Sequence, residues 1–311
     1  MEFLKLLESI RTPFGDTLFY ILTYFGEEMT FLAILCILYW CVDKKLAYRV
    51  TFAYMTSAVA VNGLKVSCRI ERPWVRDPSF TAVERAKGSA TGYSFPSGHT
   101  QNSVAMFGTF AYKARKLWQK ILLFLIIPVV MFTRMYLGVH TPADVLVSFA
   151  VSAVIVLAVN ILADKIELNR RRRLIISCIL VAMGIIYTLY SMILLNNGTV
   201  SYANAADGFK GIGAGLAFAI CWYIETVYID FDTKCKNIPM QLLKIAIGVA
   251  GVMLIRTGIK SVFGSNPVAD FCRYFLMLCW AMLAMPLIIR RFFAPAGKAP
   301  KTPSSVDGDP A

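Results

Sequence analysis

Long apolar stretches recur along the whole chain, and they constrain its fold more than any other feature of the sequence. Only 16% of the 311 residues are charged and 57% are hydrophobic, whereas a soluble domain has about 25% charged residues. A helix needs about 20 apolar residues to cross a bilayer. About nine stretches approach that length, at residues 27–42, 46–66, 97–114, 118–138, 142–163, 174–195, 208–229, 241–262 and 269–289. The sequence therefore predicts an all-α, polytopic integral membrane helical bundle.

The predicted spans divide the chain into four parts. Residues 1–26 are expected to form an interfacial amphipathic segment, with a further membrane crossing as the alternative. Residues 27–166 are expected to form a transmembrane core. Residues 167–293 are expected to add further transmembrane helices to that core. Residues 294–311 are rich in Pro, Ala and Ser, a composition that predicts a disordered cytoplasmic tail.

The net charge of +13 is explained by membrane topology rather than by a nucleic-acid partner. Lys and Arg of polytopic proteins collect in cytoplasmic loops, and here they cluster in alternate loops, for example at residues 44–49, 113–120 and 165–173. One loop on the opposite side, residues 65–87, also carries six Lys and Arg residues. A basic loop on that side favours an anionic ligand, and the alternative is a loop that is merely solvated.

Three segments concentrate the side chains that are capable of chemistry. They contain Lys65 and Arg72 in KVSCRIERP, Ser97, Gly98 and His99 in PSGH, and Arg134, His140 and Asp144 in TRMYLGVHTPAD. The first two segments lie in one outward loop, and a single cytoplasmic loop separates them from the third. The parity of the spans therefore places all three segments on one face of the membrane. Both histidines of the chain lie in them.

These residue types in this pattern favour chemistry on a phosphate. Arginine presents a planar fork of donors that suits phosphate oxygens, and lysine adds a point charge. Ser97 and Gly98 open a span, where free N–H groups bind anions. Two imidazoles can divide the work, one attacking phosphorus and the other protonating the departing oxygen. Asp144, four residues after His140, can hold that imidazole in the required tautomer.

Each feature alone also has a structural interpretation. Thr141-Pro142-Ala143-Asp144 is a sound helix start, and Arg134 and Lys65 can reach the headgroups from span ends. Ionisable groups at membrane depth are costly, however, and are functional by default. The conjunction of both histidines with these cations therefore favours a functional site.

The spacing Lys65-x6-Arg72-Pro73, followed by Pro96-Ser97-Gly98-His99 and by Thr133-Arg134-x5-His140-x3-Asp144, resembles the three signature motifs of the type 2 phosphatidic acid phosphatase (PAP2) superfamily. Thr133 stands where the family usually has Ser, and both side chains carry a hydroxyl. The resemblance covers about residues 45–165. It implies that residues 27–166 are a PAP2-type catalytic core with additional C-terminal transmembrane helices.

The resemblance also implies a role for each motif residue. His140 would form a phosphohistidine, Asp144 would orient it, and His99 would act as acid and then as base. The phosphate would be held by Lys65, Arg72, Ser97, Gly98 and Arg134. The family needs no metal, and no cofactor is expected.

The sequence therefore predicts a metal-independent membrane lipid phosphatase. Its expected partners are the bilayer and a lipid phosphate, either a phosphatidic acid-type monoester or a polyprenyl diphosphate. The site is expected at the extracytoplasmic face of the cell membrane. A lipid phosphotransferase and a non-catalytic phospholipid transporter or binding protein are the alternatives, and the sequence carries no signal for an oligomeric state.

Overall fold

The computed structural model of the chain describes residues 1–235 and 237–293, and all regular structure within these ranges is helical. The predicted all-α membrane fold is confirmed. The predicted tail, residues 294–311, lies outside the described residues. The helices are α1 (Glu2–Ser9), α2 (Pro13–Leu22), α3 (Glu28–Ile37), α4 (Lys44–Cys68), α5 (Pro73–Arg76), α6 (Glu84–Lys87), α7 (Gly98–Ser103), α8 (Thr109–Lys113), α9 (Leu117–Tyr136), α10 (Pro142–Lys165), α11 (Arg170–Asn196), α12 (Tyr202–Ile224), α13 (Ile238–Phe263), α14 (Pro267–Cys279) and α15 (Met285–Ile288).

Six helical segments of the described chain are long and apolar enough to cross a membrane. They are α9, α10, α11, α13, the segment Tyr202–Ile229 that begins with α12, and the segment Pro267–Phe293 that contains α14 and α15. Pro13–Gly26 and Glu28–Val42 form a further pair, bent by 48°, that passes the same test together. Each of the nine predicted spans corresponds to a helical segment of the structure.

Two of those nine segments are less apolar because they build the interior of the protein. Helix α4 buries Thr51, Ser57 and Lys65, and these polar residues lower its mean hydropathy. Helices α7 and α8 form one continuous helical run through the π-helical turn Val104–Gly108, and α7 buries a row of polar side chains. Polar residues that face inward are the ones that can take part in a site.

The described chain divides into two compact units, of which the first comprises residues 1–35, 45–167 and 186–212. Within this unit the N-terminal segment lies against α7. A β-carbon at Gly26 would lie 2.7 Å from the carbonyl oxygen of His99, and Asn102 Nδ2 donates to the Gly26 carbonyl at 2.9 Å. The N-terminal segment therefore packs directly against the backbone of the second motif.

Helices α4 and α10 of this unit run in opposite directions. Near the start of α4, Arg49 Nη2 pairs with Asp164 Oδ1 near the end of α10 at 2.6 Å. Lys65 lies at the end of α4 and Asp144 lies in the first turn of α10. The motif residues therefore share one end of the helix pair, and the Arg49–Asp164 ion pair lies at the other.

The second unit comprises residues 36–44, 168–185 and the described residues from 213 onward. Two indole rings lie against glycines of α13: a β-carbon at Gly248 would overlap the ring of Trp40, and one at Gly251 would overlap the ring of Trp280. Trp40 Nε1 donates to the Ala281 carbonyl, and Trp280 Nε1 donates to the Gly248 carbonyl. Glycine is needed at both positions because any side chain would displace an indole.

Candidate active site

Arg72 immediately precedes α5, and its guanidinium is held by backbone carbonyl groups. Nε donates to the Gly92 carbonyl at 3.0 Å and Nη2 donates to the Thr91 carbonyl at 2.5 Å. Nη1 donates to the Val139 carbonyl at 3.1 Å and lies 3.0 Å from Nε2 of His140. The first motif is thereby joined to the third through a side chain that is 5% exposed.

The contact between Arg72 and His140 determines which imidazole nitrogen carries the proton. Arginine has donors and no acceptor, so Nε2 of His140 must accept and must be unprotonated. The proton of the neutral ring is then on Nδ1, which lies 3.5 Å from Oδ2 of Asp144. This tautomer puts a lone pair on Nε2, as a nucleophile requires. The lone pair accepts from Arg72 in this structure, so it can attack only after the guanidinium donates to another acceptor.

Asp144 is itself held by several hydrogen bonds, so it can orient the ring of His140. Ser94 Oγ donates to Asp144 Oδ2 at 2.6 Å, and the Thr141 backbone N–H donates to the same oxygen at 2.7 Å. The Asp144 backbone N–H donates to Thr141 Oγ1 at 3.4 Å. The predicted helix cap is therefore present, and the same carboxylate also faces His140.

The surroundings favour a neutral His140. Burial, followed by the charge of Arg72, holds the pKa of the His140 imidazole well below its usual range, because both effects penalise an imidazolium. Burial also lowers the pKa of the Arg72 guanidinium to about 10, so Arg72 remains charged at neutral pH. The pair is thus a cation beside an uncharged imidazole.

Ser97 connects the start of α7 to the start of α10. Its backbone N–H donates to the Asp144 carbonyl at 3.1 Å, and Ser148 Oγ donates to the Ser97 carbonyl at 2.6 Å. The Ser97 hydroxyl accepts from the Thr100 backbone N–H at 3.4 Å, as an N-cap residue does. The backbone on which His99 stands is thus positioned by the helix that carries Asp144.

The space around Gly98 is open. Apart from its chain neighbours and the backbone of its own helix, a β-carbon at Gly98 would meet no atom within 4 Å, although the neighbouring Ser97 is fully buried. Nε2 of His99 is buried without a hydrogen-bond partner among the described residues. An unpartnered buried nitrogen, on the residue that follows a glycine with open space around it, indicates a place for a polar ligand.

Arg134 is a fully buried cation on α9. Nη1 donates to Thr23 Oγ1 at 2.9 Å, while Nε and Nη2 have no partner within the described part of the chain. Burying a guanidinium with two unsatisfied nitrogens is costly, and an anion between Arg134 and His99 would satisfy these donors. Thr133, beside Arg134, turns its hydroxyl to the Val130 carbonyl of its own helix.

Lys65 completes the positive cluster and is 5% exposed. The charged groups within electrostatic range of it are Arg72, Asp207, Asp144 and Lys210. His99 likewise lies within range of Arg134, His140, Arg72 and Lys65. The structure therefore brings together all eight residues that the three motifs contribute: Lys65, Arg72, Ser97, Gly98, His99, Arg134, His140 and Asp144.

Several residues that contact or face the motif residues were not predicted from the sequence, among them Thr23, Ser94, Thr91 and Asp207. The charge of Asp207 at the edge of a predicted span was a usable signal, because ionisable groups at membrane depth are functional by default. Nothing comparable in the sequence indicated Thr23, Ser94 and Thr91, which contact the motif residues through hydroxyl or carbonyl oxygens.

Within residues 1–235 and 237–293, no three His, Cys, Asp or Glu side chains are arranged so that they could hold a metal ion. The motif residues contribute cationic and imidazole nitrogens instead, and those of His99 and Arg134 include buried nitrogens without a partner in the described part of the chain. Such a donor set suits an oxyanion such as phosphate.

The fold and the candidate site together define a class: a helical membrane protein whose buried cations lie near a pair of histidines. Comparison with known families identifies the class further. The model of the PAP2 superfamily matches residues 46–167, and the model described as PAP2 superfamily phosphatase, transmembrane extension, matches residues 209–298. Together they cover more than half of the chain, which therefore belongs to the PAP2 superfamily. It is an integral membrane phosphatase of that family.

Among solved structures, the chain is similar to the crystal structure of LpxE from Aquifex aeolicus. The two are 25% identical, and the match covers 51% of this chain and 93% of LpxE with a TM-score of 0.44. No curated protein sequence matches the chain.

Proposed function

We propose that this phosphatase hydrolyses a phosphomonoester or diphosphate of a membrane lipid through a phosphohistidine at His140. The observation that carries the proposal is the contact between Arg72 and Nε2 of His140. It leaves His140 with the tautomer of a nucleophile, beside a cation that can bind the phosphate under attack. The unpartnered nitrogens of His99 and Arg134, within the described part of the chain, support the same place for the phosphate.

The proposed reaction has two steps. In the first, the bound phosphate accepts the Arg72 donor that Nε2 of His140 accepts in the ligand-free protein and favours the imidazolium form of His99. Nε2 of His140 then attacks phosphorus, the bond from phosphorus to the lipid oxygen breaks, and the imidazolium of His99 gives its proton to that oxygen. In the second, His99 takes a proton from water, the water oxygen attacks phosphorus, and the phosphorus–nitrogen bond breaks. Free phosphate leaves, and both imidazoles return to their starting states.

The cations and Asp144 stabilise the charges that develop. Arg72, Lys65 and Arg134 face the phosphate, whose oxygens gain negative charge as the leaving oxygen departs. When His140 becomes bonded to phosphorus its ring gains positive charge, and the carboxylate of Asp144 lies on the Nδ1 side of that ring. Each charge therefore develops next to a group of opposite sign.

A lipid substrate is supported by the position of the site in the helices. Lys65 and Asp144 lie at the ends of α4 and α10, so a phosphate bound there would lie where a bilayer meets water while the hydrocarbon chain stays in the bilayer. The basic residues at the opposite end, among them Arg49 and Lys113 near Asp164, favour a cytoplasmic location for that end. The site would then face the extracytoplasmic side.

Phosphate release by the purified protein across a panel of lipid phosphates tests this function. The panel contains phosphatidic acid, a polyprenyl diphosphate and water-soluble monoesters. Each is assayed with EDTA present, so that phosphate release shows that no metal ion is required. We expect release from at least one lipid phosphate and none from the His140→Ala variant. Release without any dependence on His140 would refute the mechanism, and a newly phosphorylated lipid instead of free phosphate would identify a phosphotransferase.

A further inference from the structure

An acidic and a basic residue on α12 lie beside the site, although neither belongs to the three motifs. Asp207 Oδ1 accepts from Lys210 Nζ at 2.8 Å, one helical turn further on. The two side chains are 30% and 22% exposed. Helical ion pairs with this exposure contribute little to the stability of the fold. Stability alone therefore does not explain why this pair lies beside the site.

The second oxygen of Asp207 is used on the loop that follows α6. Thr91 Oγ1 donates to Asp207 Oδ2 at 2.5 Å. The next residue, Gly92, has a φ of +61°, and a β-carbon there would lie 3.1 Å from the Asn204 carbonyl oxygen. Helix α12 therefore holds the loop at two consecutive residues, one by a hydrogen bond and one by close backbone packing.

The same two loop residues hold the guanidinium of Arg72. Their carbonyl groups accept from Nη2 and Nε of Arg72, and Nη1 of the same guanidinium reaches His140. A continuous series of contacts thus runs from Asp207 through Thr91 to Arg72 and then to His140. Movement of the loop would rotate the guanidinium away from both the imidazole and the phosphate.

We propose that Asp207 is a positioning residue for phosphate transfer, which acts by holding the Thr91–Gly92 carbonyl pair that orients Arg72. This inference rests on the proposed function, because it assigns Asp207 to the same phosphate site. Asp207 lies between the residues matched by the two family models, 46–167 and 209–298. It links α12 to the chemistry of the three motifs.

Paired substitutions at Thr91 test the link. Thr91→Val removes the hydroxyl donor and keeps the size and the backbone carbonyl, whereas Thr91→Ser keeps the donor. A misplaced catalytic group lowers kcat more than KM, so we expect Thr91→Val to lower kcat about tenfold with little change in KM. We expect Thr91→Ser to stay within about twofold of the unmodified protein.

Substitutions at Asp207 test the same link from the other side. Asp207→Ala removes the acceptor and should match Thr91→Val, while Asp207→Asn keeps an acceptor oxygen for Thr91 and should retain most of the activity. If both residues act through one contact, the double variant Thr91→Val/Asp207→Ala should be no slower than the slower single variant. Asp164→Asn, which removes a carboxylate from the Arg49 ion pair, is the control and should leave kcat unchanged.

Orthovanadate binding separates failure of this inference from failure of the proposed function. Vanadate resembles the transferred phosphate in the transition state. Its binding is measured by the rise in Tm that it causes. If the protein binds vanadate but hydrolyses no lipid phosphate, the proposed function fails, and weaker vanadate binding in Thr91→Val and Asp207→Ala still supports the positioning role. Unchanged kcat and vanadate affinity in both variants would overturn it, as would additive losses in the double variant.

Discussion

Arg72 donates from Nη1 to Nε2 of His140 across 3.0 Å, although 68 residues separate them in the chain. The remaining nitrogens of the guanidinium are bound to backbone carbonyl groups, so the side chain has one orientation. That orientation determines the tautomer of the proposed nucleophile and presents a cation to the phosphate. Changes to this pair, or to the groups that face it, should therefore alter activity in distinct ways.

Arg72→Lys should lower kcat/KM by about 100-fold or more, because lysine supplies a charge but cannot bond the carbonyl groups and the imidazole together. The measurement is steady-state release of phosphate from a lipid substrate in micelles. Arg49→Lys makes the same chemical change in the ion pair with Asp164 and should change kcat/KM by less than about twofold. Equal activity of Arg72→Lys and the unmodified protein would contradict the assigned role of the guanidinium.

His99→Gln should separate the two steps of the reaction. An alkyl ester needs a proton on its leaving oxygen and should react about 100-fold more slowly or worse. A nitrophenyl ester has a good leaving group and should still phosphorylate His140, but the phosphoenzyme should then accumulate because no base activates water. A burst of nitrophenol of about one equivalent per protein is therefore expected.

The matching variant for that experiment is His140→Gln. It should give no burst with either ester, because no nucleophile remains. Equal slowing of both esters by His99→Gln, with no burst, would show that His99 is not the acid and base of the reaction.

Gly98→Ala should lower activity without unfolding the protein. A β-carbon at Gly98 meets no atom within 4 Å outside its chain neighbours and its own helix backbone, and alanine is a better helix former than glycine. The Tm should therefore be unchanged or higher. The methyl group would occupy the space proposed for the phosphate, and we expect kcat/KM to fall about tenfold. Gly258→Ala on α13 also adds a methyl group in open space and is the control. Full activity of Gly98→Ala would place the phosphate elsewhere.

The depressed pKa of His140 predicts a dependence of stability on pH. In the unfolded chain the imidazole gains a proton as the pH falls below about 6.5, but in the folded protein burial and Arg72 oppose that proton. The unfolded state therefore binds more protons in this range, and stability falls as the pH drops below about 6.5, by up to about 1.4 kcal/mol for each pH unit.

Thermal unfolding of the ligand-free protein between about pH 7.5 and pH 5 measures this effect. The Tm of the unmodified protein should fall more steeply below about pH 6.5 than the Tm of His140→Gln, which has no proton to gain. Above that pH the two curves should be parallel. Parallel curves over the whole range would mean that the folded protein protonates His140 as readily as the unfolded chain does.

The helices were predictable because hydrophobicity is a local property of the sequence. Every predicted span corresponds to a helical segment, including residues 46–66 in α4 and 97–114 in α7 and α8. What the apolar runs did not reveal is that these two segments direct polar side chains into the protein. That depends on which neighbours cover each face of a helix, and residues distant in the chain supply those neighbours.

The candidate site, too, was predictable from the sequence only in part. Charged and imidazole side chains at fixed spacings identify the eight motif residues, because a phosphate reaction needs those groups and few other residues can replace them. Ser94, Thr23 and Thr91 have common side chains whose meaning comes only from what they contact. The orientation of Arg72 depends on backbone carbonyl groups, which every residue has, so only the tertiary structure could show which carbonyls hold it and that Asp207 of α12 holds them in turn.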